Sequence, residues 1–394
     1  MDFQRLVAER SAKINGSGIR QVFDRVEVLR SQGKKLINLG IGQPDFPVHE
    51  RIKKAACDAI MADHNGYMPT TGVPLLREKA AVALATETGW DVNLSKDAPA
   101  ASANLIVTAG TSAAIFLAMQ AIVNPGDEVI IPDPYFVLYP YAVSLCGGKA
   151  VSCDTYPDFK MTAARVAPLI TARTKAVLIN SPSNPGGVVL NQKECDELAA
   201  LCAEKGVLLI SDEIYDKFTF AEGLEDGVFP TPCRSPKGGK DVLLIRGYGK
   251  TYGVTGWRLG YAAGPRTIVA EMTKLQQYSF VCAPAPLQYG VAEAMNVDMG
   301  PTIERYRGRR DIVLKHLAPH TRCSVPHGAF YVFVEVPPRL GQSGRQFHER
   351  ALEAGVVVIP GGVFSAKDTH FRISYTVGEA ELEKASSILA GLMK

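Results

Sequence analysis

Lys250 stands in the run Gly247-Tyr248-Gly249-Lys250-Thr251-Tyr252-Gly253, directly after the apolar stretch 241–246 and eight positions ahead of Arg258. A primary amine among small residues at the end of a buried strand can attack a carbonyl and hold it as an imine. A guanidinium a short loop away presents a planar fork of donors suited to phosphate oxygens. The two together suggest covalent capture of a phosphorylated aldehyde. By itself, however, a lysine in a glycine-rich turn is also an ordinary solvated loop residue, so other residues must decide.

Asp212, in Ser211-Asp212-Glu213-Ile214-Tyr215, ends the apolar run 207–210. Ligands of open parallel sheets bind beyond the carboxyl ends of the strands. A carboxylate there, anionic at neutral pH given its usual pKa of about 3.9, can balance a protonated ring nitrogen, or it can simply cap a helix. Asn184, in Ser181-Pro182-Ser183-Asn184-Pro185-Gly186-Gly187, follows a second such run, where an Asn-Pro pair also reads as a plain turn. Gly110, Thr111 and Ser112 follow the run 105–108 and open a helical pattern, whose first NH groups lack partners and attract an anion. Arg372 alternates with Phe371, Ile373 and Tyr375, so it points off the core face of a strand, either as a surface residue or as a clamp for a carboxylate.

In this order the motifs resemble those of the class I aminotransferases, fold-type I enzymes dependent on pyridoxal 5'-phosphate (PLP), over about residues 16–390. The resemblance implies that Lys250 carries PLP as a Schiff base and shuttles a proton, forming the catalytic group with Asp212 and Tyr215. It implies that Asp212 meets the pyridine nitrogen and that Asn184 and Tyr215 meet the phenolic oxygen, which lowers the basicity of the Schiff base. Gly110, Thr111, Ser112 and Arg258 are then the phosphate site. Phe136, in the run 132–139, becomes the ring-stacking residue, with Tyr135 as the competitor. Arg372, Asn184 and the backbone NH of Gly42 become the substrate site. Tyr67 resembles the tyrosine that reaches the phosphate of a neighbouring subunit, so the resemblance implies a homodimer at least.

The activity so implied moves the amino group of an L-amino acid, of aromatic, alanine or aspartate type, to a 2-oxo acid such as 2-oxoglutarate by a ping-pong mechanism. The same fold also hosts carbon-sulfur β-lyases, marked by pyruvate formation from cystathionine without an acceptor. A PLP-binding regulatory module is the non-enzymatic alternative; it requires a DNA-binding segment, for which the N-terminal stretch leaves no room. Gly247 departs from the pattern, because many relatives carry a phosphate-binding serine three positions before the lysine. The helix over 111–123 contains no lysine or arginine to meet a second substrate carboxylate, and the run Tyr278-Ser279-Phe280-Val281-Cys282 can line an apolar side-chain pocket or serve as core.

To bring these residues together the chain must fold as an α/β protein. Short β-branched runs at 104–108, 128–132, 149–153, 175–180, 207–212, 241–246 and 260–263 alternate with helical patterns at 111–123 and 192–205. That alternation predicts a large, mostly parallel, seven-stranded sheet covered on both faces. Beyond residue 296 a charged helix over 301–317, a strand pair over 329–336 and 356–360, a strand over 371–376 and a last helix from 378 predict a smaller α+β domain. The expected division is 1–46 as an arm belonging to the small domain, with a helix over 19–30, then 47–296 as the PLP-binding domain and 297–394 as the small domain.

Composition narrows the partners. Of 394 residues 46% are hydrophobic and 21% charged, and 43 basic against 40 acidic groups leave a formal charge of +3 without a dense basic run. Such a balance supports small-molecule partners over nucleic acid or membrane. No stretch approaches the roughly 20 apolar residues of a membrane span, and the charged start of the chain is unlike a secretory signal, so the expected compartment is the cytoplasm. The eight cysteines form no CxxC pair and the seven histidines no HExxH pattern, so no metal site is expected.

Overall fold

The computed structural model describes residues 1–12 and 14–394. Its strands are β1 (Ile37–Asn38), β2 (Ala103–Thr108), β3 (Glu128–Asp133), β4 (Lys149–Asp154), β5 (Thr174–Asn180), β6 (Leu208–Asp212), β7 (Leu243–Gly247), β8 (Gly260–Pro265), β9 (Tyr331–Glu335), β10 (Val356–Val357), β11 (Ile359–Pro360) and β12 (His370–Ser374). Strands β2 to β8 form one seven-stranded sheet in the order β2-β8-β7-β6-β5-β3-β4. Every neighbouring pair is parallel except those made by β8, which is antiparallel to both β2 and β7.

The near-continuous apolar character of these strands follows from burial on both faces. Leu105, Val107, Val177, Ile179, Leu209 and Leu244 belong to one core, and Ile106, Ala176, Leu178, Ile210, Leu243 and Ile245 to another. Successive residues point to opposite sides, so a strand sandwiched between helix layers needs apolar residues at every position. The crossover helix Gln192–Lys205 is bounded by chemistry legible in its sequence: Asn191 and Glu194 form a capping box, and Gly206 ends it in the left-handed region.

The C-terminal part departs from expectation in one respect. The stretch 356–360 is not one strand paired with 329–336. Its first half, β10, pairs in parallel with β1, while its second half, β11, pairs with β12, and β12 in turn pairs with β9. Val358 separates the two short strands, and the N-terminal segment supplies the extra partner: Leu39 N donates to Val357 O (2.9 Å), and Ser374 N donates to Leu39 O (2.7 Å). These bonds carry the backbone of residues 39–42 to the mouth of the large sheet. Among the described residues no helix is long and apolar enough to cross a membrane.

Candidate active site

At the carboxyl edge of the large sheet lies a cavity of about 290 Å³. Because β8 runs against its neighbours, its start lies at this edge. Gly260 pairs with both Thr108 and Gly247, which sets the loop carrying Arg258 beside the start of the helix Gly110–Ile122. A Cβ at Gly110 would stand 2.6 Å from Arg258 Nη2, and one at Gly260 would stand 2.9 Å from Thr111 N. Glycine at these positions leaves a cradle floored by helix NH groups and walled by a guanidinium. Gly110 also has φ +78°, the left-handed region that glycine enters without strain.

Asp212 and Lys250 face the same cavity. Asp212 Oδ2 accepts a hydrogen bond from Tyr139 Oη (2.7 Å), and its Oδ1 takes a long one from Ile214 N (3.3 Å). Burial pushes the Asp212 carboxyl up to about 6, against the lowering effect of the Tyr139 hydroxyl. The carboxylate therefore ionises at a cost, unlike the unaided aspartate expected from sequence, and no cation of the chain bonds to it among the described residues. Lys250 Nζ donates to Gly42 O (2.7 Å). Burial, with Arg372 and Arg258 as further positive charges, lowers the Lys250 amine to about 8, so about a tenth of it is neutral and nucleophilic at pH 7, far more than for a free lysine.

Arg372 is not a surface residue. It is 2% exposed, because the strand face opposite the core meets the cavity. Its Nη1 donates to Asn184 Oδ1 (3.0 Å) and its Nη2 to Gly40 O (2.8 Å), and its guanidinium lies 4.5 Å from the Tyr331 ring centroid and 4.8 Å from that of Phe364. Its Nε is buried without a partner among the described residues. A buried guanidinium held by neutral acceptors alone is incompletely paired, and an incoming carboxylate would complete it.

The cavity brings together Gly42, Gly110, Thr111, Ser112, Phe136, Asn184, Asp212, Tyr215, Lys250, Arg258 and Arg372. Phe136 lines it, whereas Tyr135 lines a neighbouring cavity. Tyr67 is 91% exposed and does not line it within one chain. The run 278–282 does not line it either. Tyr278 is 86% exposed, because the helix Arg266–Ser279 ends there with its last turn facing outward. Of Gly42 it is the carbonyl, bonded to Lys250, that engages the site in this arrangement.

Sequence reasoning missed Tyr139, Tyr331 and Ile19. Tyr139 was in view, three positions after Phe136 in the same run, a spacing that puts both on one side of a helical turn. Tyr331 shares a 3.0 Å hydrogen bond with the Tyr215 hydroxyl, and burial raises the Tyr215 phenol far above its usual range, so it stays a donor. Ile19 comes from the helix Gly18–Ser31, and its sequence carries no mark of the contact.

Gly247 has a structural counterpart. A Cβ there would stand 2.5 Å from Ile214 Cδ1 and 2.9 Å from Thr111 Cγ2, so these two side chains occupy the space of a serine. Gly247→Ser should therefore push on Ile214 and Thr111, which both line the cavity, and loosen cofactor binding instead of tightening it. Titration of the apo protein with PLP, followed by absorbance, checks this against the tightening that a restored phosphate donor would bring.

The aminotransferase class I and II family description matches residues 34–389, and the chain belongs to that family. It is 37% identical over 368 residues to the aspartate/prephenate aminotransferase of Thermus thermophilus, covering 91% of each chain. It is 33% identical to aromatic-amino-acid aminotransferase 2 of Thermococcus litoralis, covering 98% of each. Among solved structures it resembles the aspartate aminotransferase of Thermus thermophilus with maleate, with TM-score 0.89 and 35% identity over 98% of this chain and 99% of that one. The fold is that of the fold-type I PLP-dependent aminotransferases, and the chain is a PLP-dependent aminotransferase. The cavity fits this cofactor, with a glycine-lined, cationic helix start suited to the phosphate, a buried carboxylate suited to the ring nitrogen, and an amine of lowered pKa on the same walls.

Proposed function

We propose that the enzyme moves the amino group of an L-amino acid, of aromatic, alanine or aspartate type, to 2-oxoglutarate in two half-reactions that share one site. The observation that carries this reading is the buried charge pattern, in which Asp212, a carboxylate without a cationic partner among the described residues, faces a cavity also lined by Lys250, Arg258 and Arg372. PLP, when bound, supplies an electron sink for the substrate carbanion. Asp212 holds the ring nitrogen protonated. Asn184, whose Oδ1 is committed to Arg372, offers its amide NH2 to the phenolic oxygen beside the Tyr215 hydroxyl. Gly110, Thr111, Ser112 and Arg258 bind the phosphate, and Phe136 covers the ring.

Arg372 receives the α-carboxylate in both half-reactions, with the backbone of Gly42 closing over it. That fixes the α-hydrogen towards Lys250, whose neutral Nζ would take the proton and deliver it two atoms away, across the substrate nitrogen. Tyr67, exposed in one chain, is assigned to the neighbouring site of a homodimer. The names of the relatives support aspartate and aromatic donors. A panel of aspartate, alanine, phenylalanine and tyrosine against 2-oxoglutarate tests the reading. Turnover with at least one of them and parallel lines in initial-rate plots are expected; no glutamate formed from any of them would contradict it.

A further inference from the structure

Behind Asp212 lies a buried charge cluster that the chemistry above leaves without a task. Glu213 is fully buried and Arg246 is 4% exposed. Glu213 Oε2 accepts from Arg246 Nε (3.0 Å) and Nη2 (2.9 Å), and its Oε1 accepts from Ser211 Oγ (2.9 Å) and Thr231 Oγ1 (2.6 Å). The backbone repeats the join, since Glu213 N donates to Ile245 O (2.8 Å) at the point where Asp212 pairs with Ile245. Arg246 also meets Asp216 (3.3 Å) and Glu87, and Glu87 pairs with Lys217. Tyr248, Tyr261 of β8 and the thiols of Cys195 and Cys233 also face the pair.

A buried ion pair gains little stability over apolar residues of the same volume. Its place in the chain suggests another use. Glu213 directly follows Asp212 at the end of β6, and Arg246 precedes Lys250 by four residues at the end of β7. Asp212 ends β6 and Lys250 follows the end of β7 by three residues, and this pair ties the two strand ends together.

We propose that Glu213 and Arg246 are positioning residues. Their ion pair holds Asp212 and Lys250 at a fixed spacing and sets the electrostatic potential in which the Lys250–cofactor link titrates. The inference rests on the roles proposed above for Asp212 and Lys250.

The test uses the PLP-loaded enzyme. Glu213→Gln removes one negative charge yet keeps an acceptor for Arg246, and every protonation midpoint nearby should fall with it. The absorbance midpoint of the Lys250–cofactor link should drop on the order of one pH unit, the size expected of a unit charge about 10–15 Å away at an effective dielectric near 20. Its kcat should fall about tenfold, with KM for the amino acid changed less than about threefold, because an interaction needed in the reacting geometry and not in binding is lost. Arg246→Lys keeps the charge and loses the fork, so its kcat should fall while its midpoint stays at the parental value. If Glu213→Gln does not fold, Arg246→Lys alone decides through that split between kcat and midpoint.

A parental midpoint in Glu213→Gln, or parental kcat in Arg246→Lys, with the covalent link still at Lys250, overturns the inference and leaves the assignment of Lys250 standing. Absence of a link at Lys250 in the parent enzyme overturns both.

Discussion

Lys250→Ala should bind PLP without a covalent link and lose nearly all turnover, by about 10⁴-fold or more, since the proposed function rests both the attachment and the proton transfer on one amine. The loss should not come from unfolding. Burial lowers the Lys250 amine to about 8, below its unfolded value, so the unfolded chain binds more protons between that pH and the unfolded pKa. This group therefore costs the apo protein stability at neutral pH, and the cost fades as pH rises through 8 and above. Removing it should leave the apo melting temperature at pH 7 near or above the parental value, apart from the lost packing of the side-chain stem. A variant with parental turnover would contradict the role of Lys250, and one that fails to fold would contradict the burial argument.

Arg372→Lys should lower kcat/KM for every amino-acid donor, and equally for the 2-oxo acid acceptor, because in the proposed reaction one guanidinium serves both half-reactions. Truncating a partner of a buried, hydrogen-bonded charge pair costs about 2–5 kcal/mol, or roughly 30-fold to several-thousand-fold. Lysine keeps the charge but loses the fork that here also holds Asn184 Oδ1 and Gly40 O, so the substitution is not conservative. Cofactor attachment should persist, which separates this variant from Lys250→Ala. The informative control is an amine substrate without a carboxylate, on which parent and variant should react alike. Steady-state kinetics with both substrate types makes the comparison, and an equal loss on both would place the effect in the cofactor site.

The residues legible in the sequence were those whose type and strand-end position coincide. Asp212, Asn184, Gly110 and Lys250 each follow an apolar run, and a parallel sheet brings the ends of such runs to one edge. Arg258 was legible through its spacing from Lys250, but the reason it reaches the helix start at Gly110, the reversal of β8, was not.

Other features depend on contacts between distant segments, which local pattern does not encode. The split of 356–360 between two sheets needs the N-terminal strand β1 as partner, more than 300 residues earlier. Alternation alone left Arg372 as either a surface residue or a carboxylate clamp, because it reports which face differs from the core, not what covers that face; here it is Gly40, Asn184 and Tyr331. The rise of the Asp212 carboxyl to about 6 was not legible either, since burial is a property of the assembled sheet. Gly247 was legible as a departure, yet its explanation, the side chains of Ile214 and Thr111 in the space of a serine, appears only in three dimensions.

The most direct measurement is borohydride reduction of the PLP-loaded protein followed by peptide mass mapping. One PLP-derived group per chain should be fixed on the peptide containing Lys250, and Lys250→Ala treated in the same way should carry none. A fixed group on another lysine, or none in the parent protein, would contradict the account.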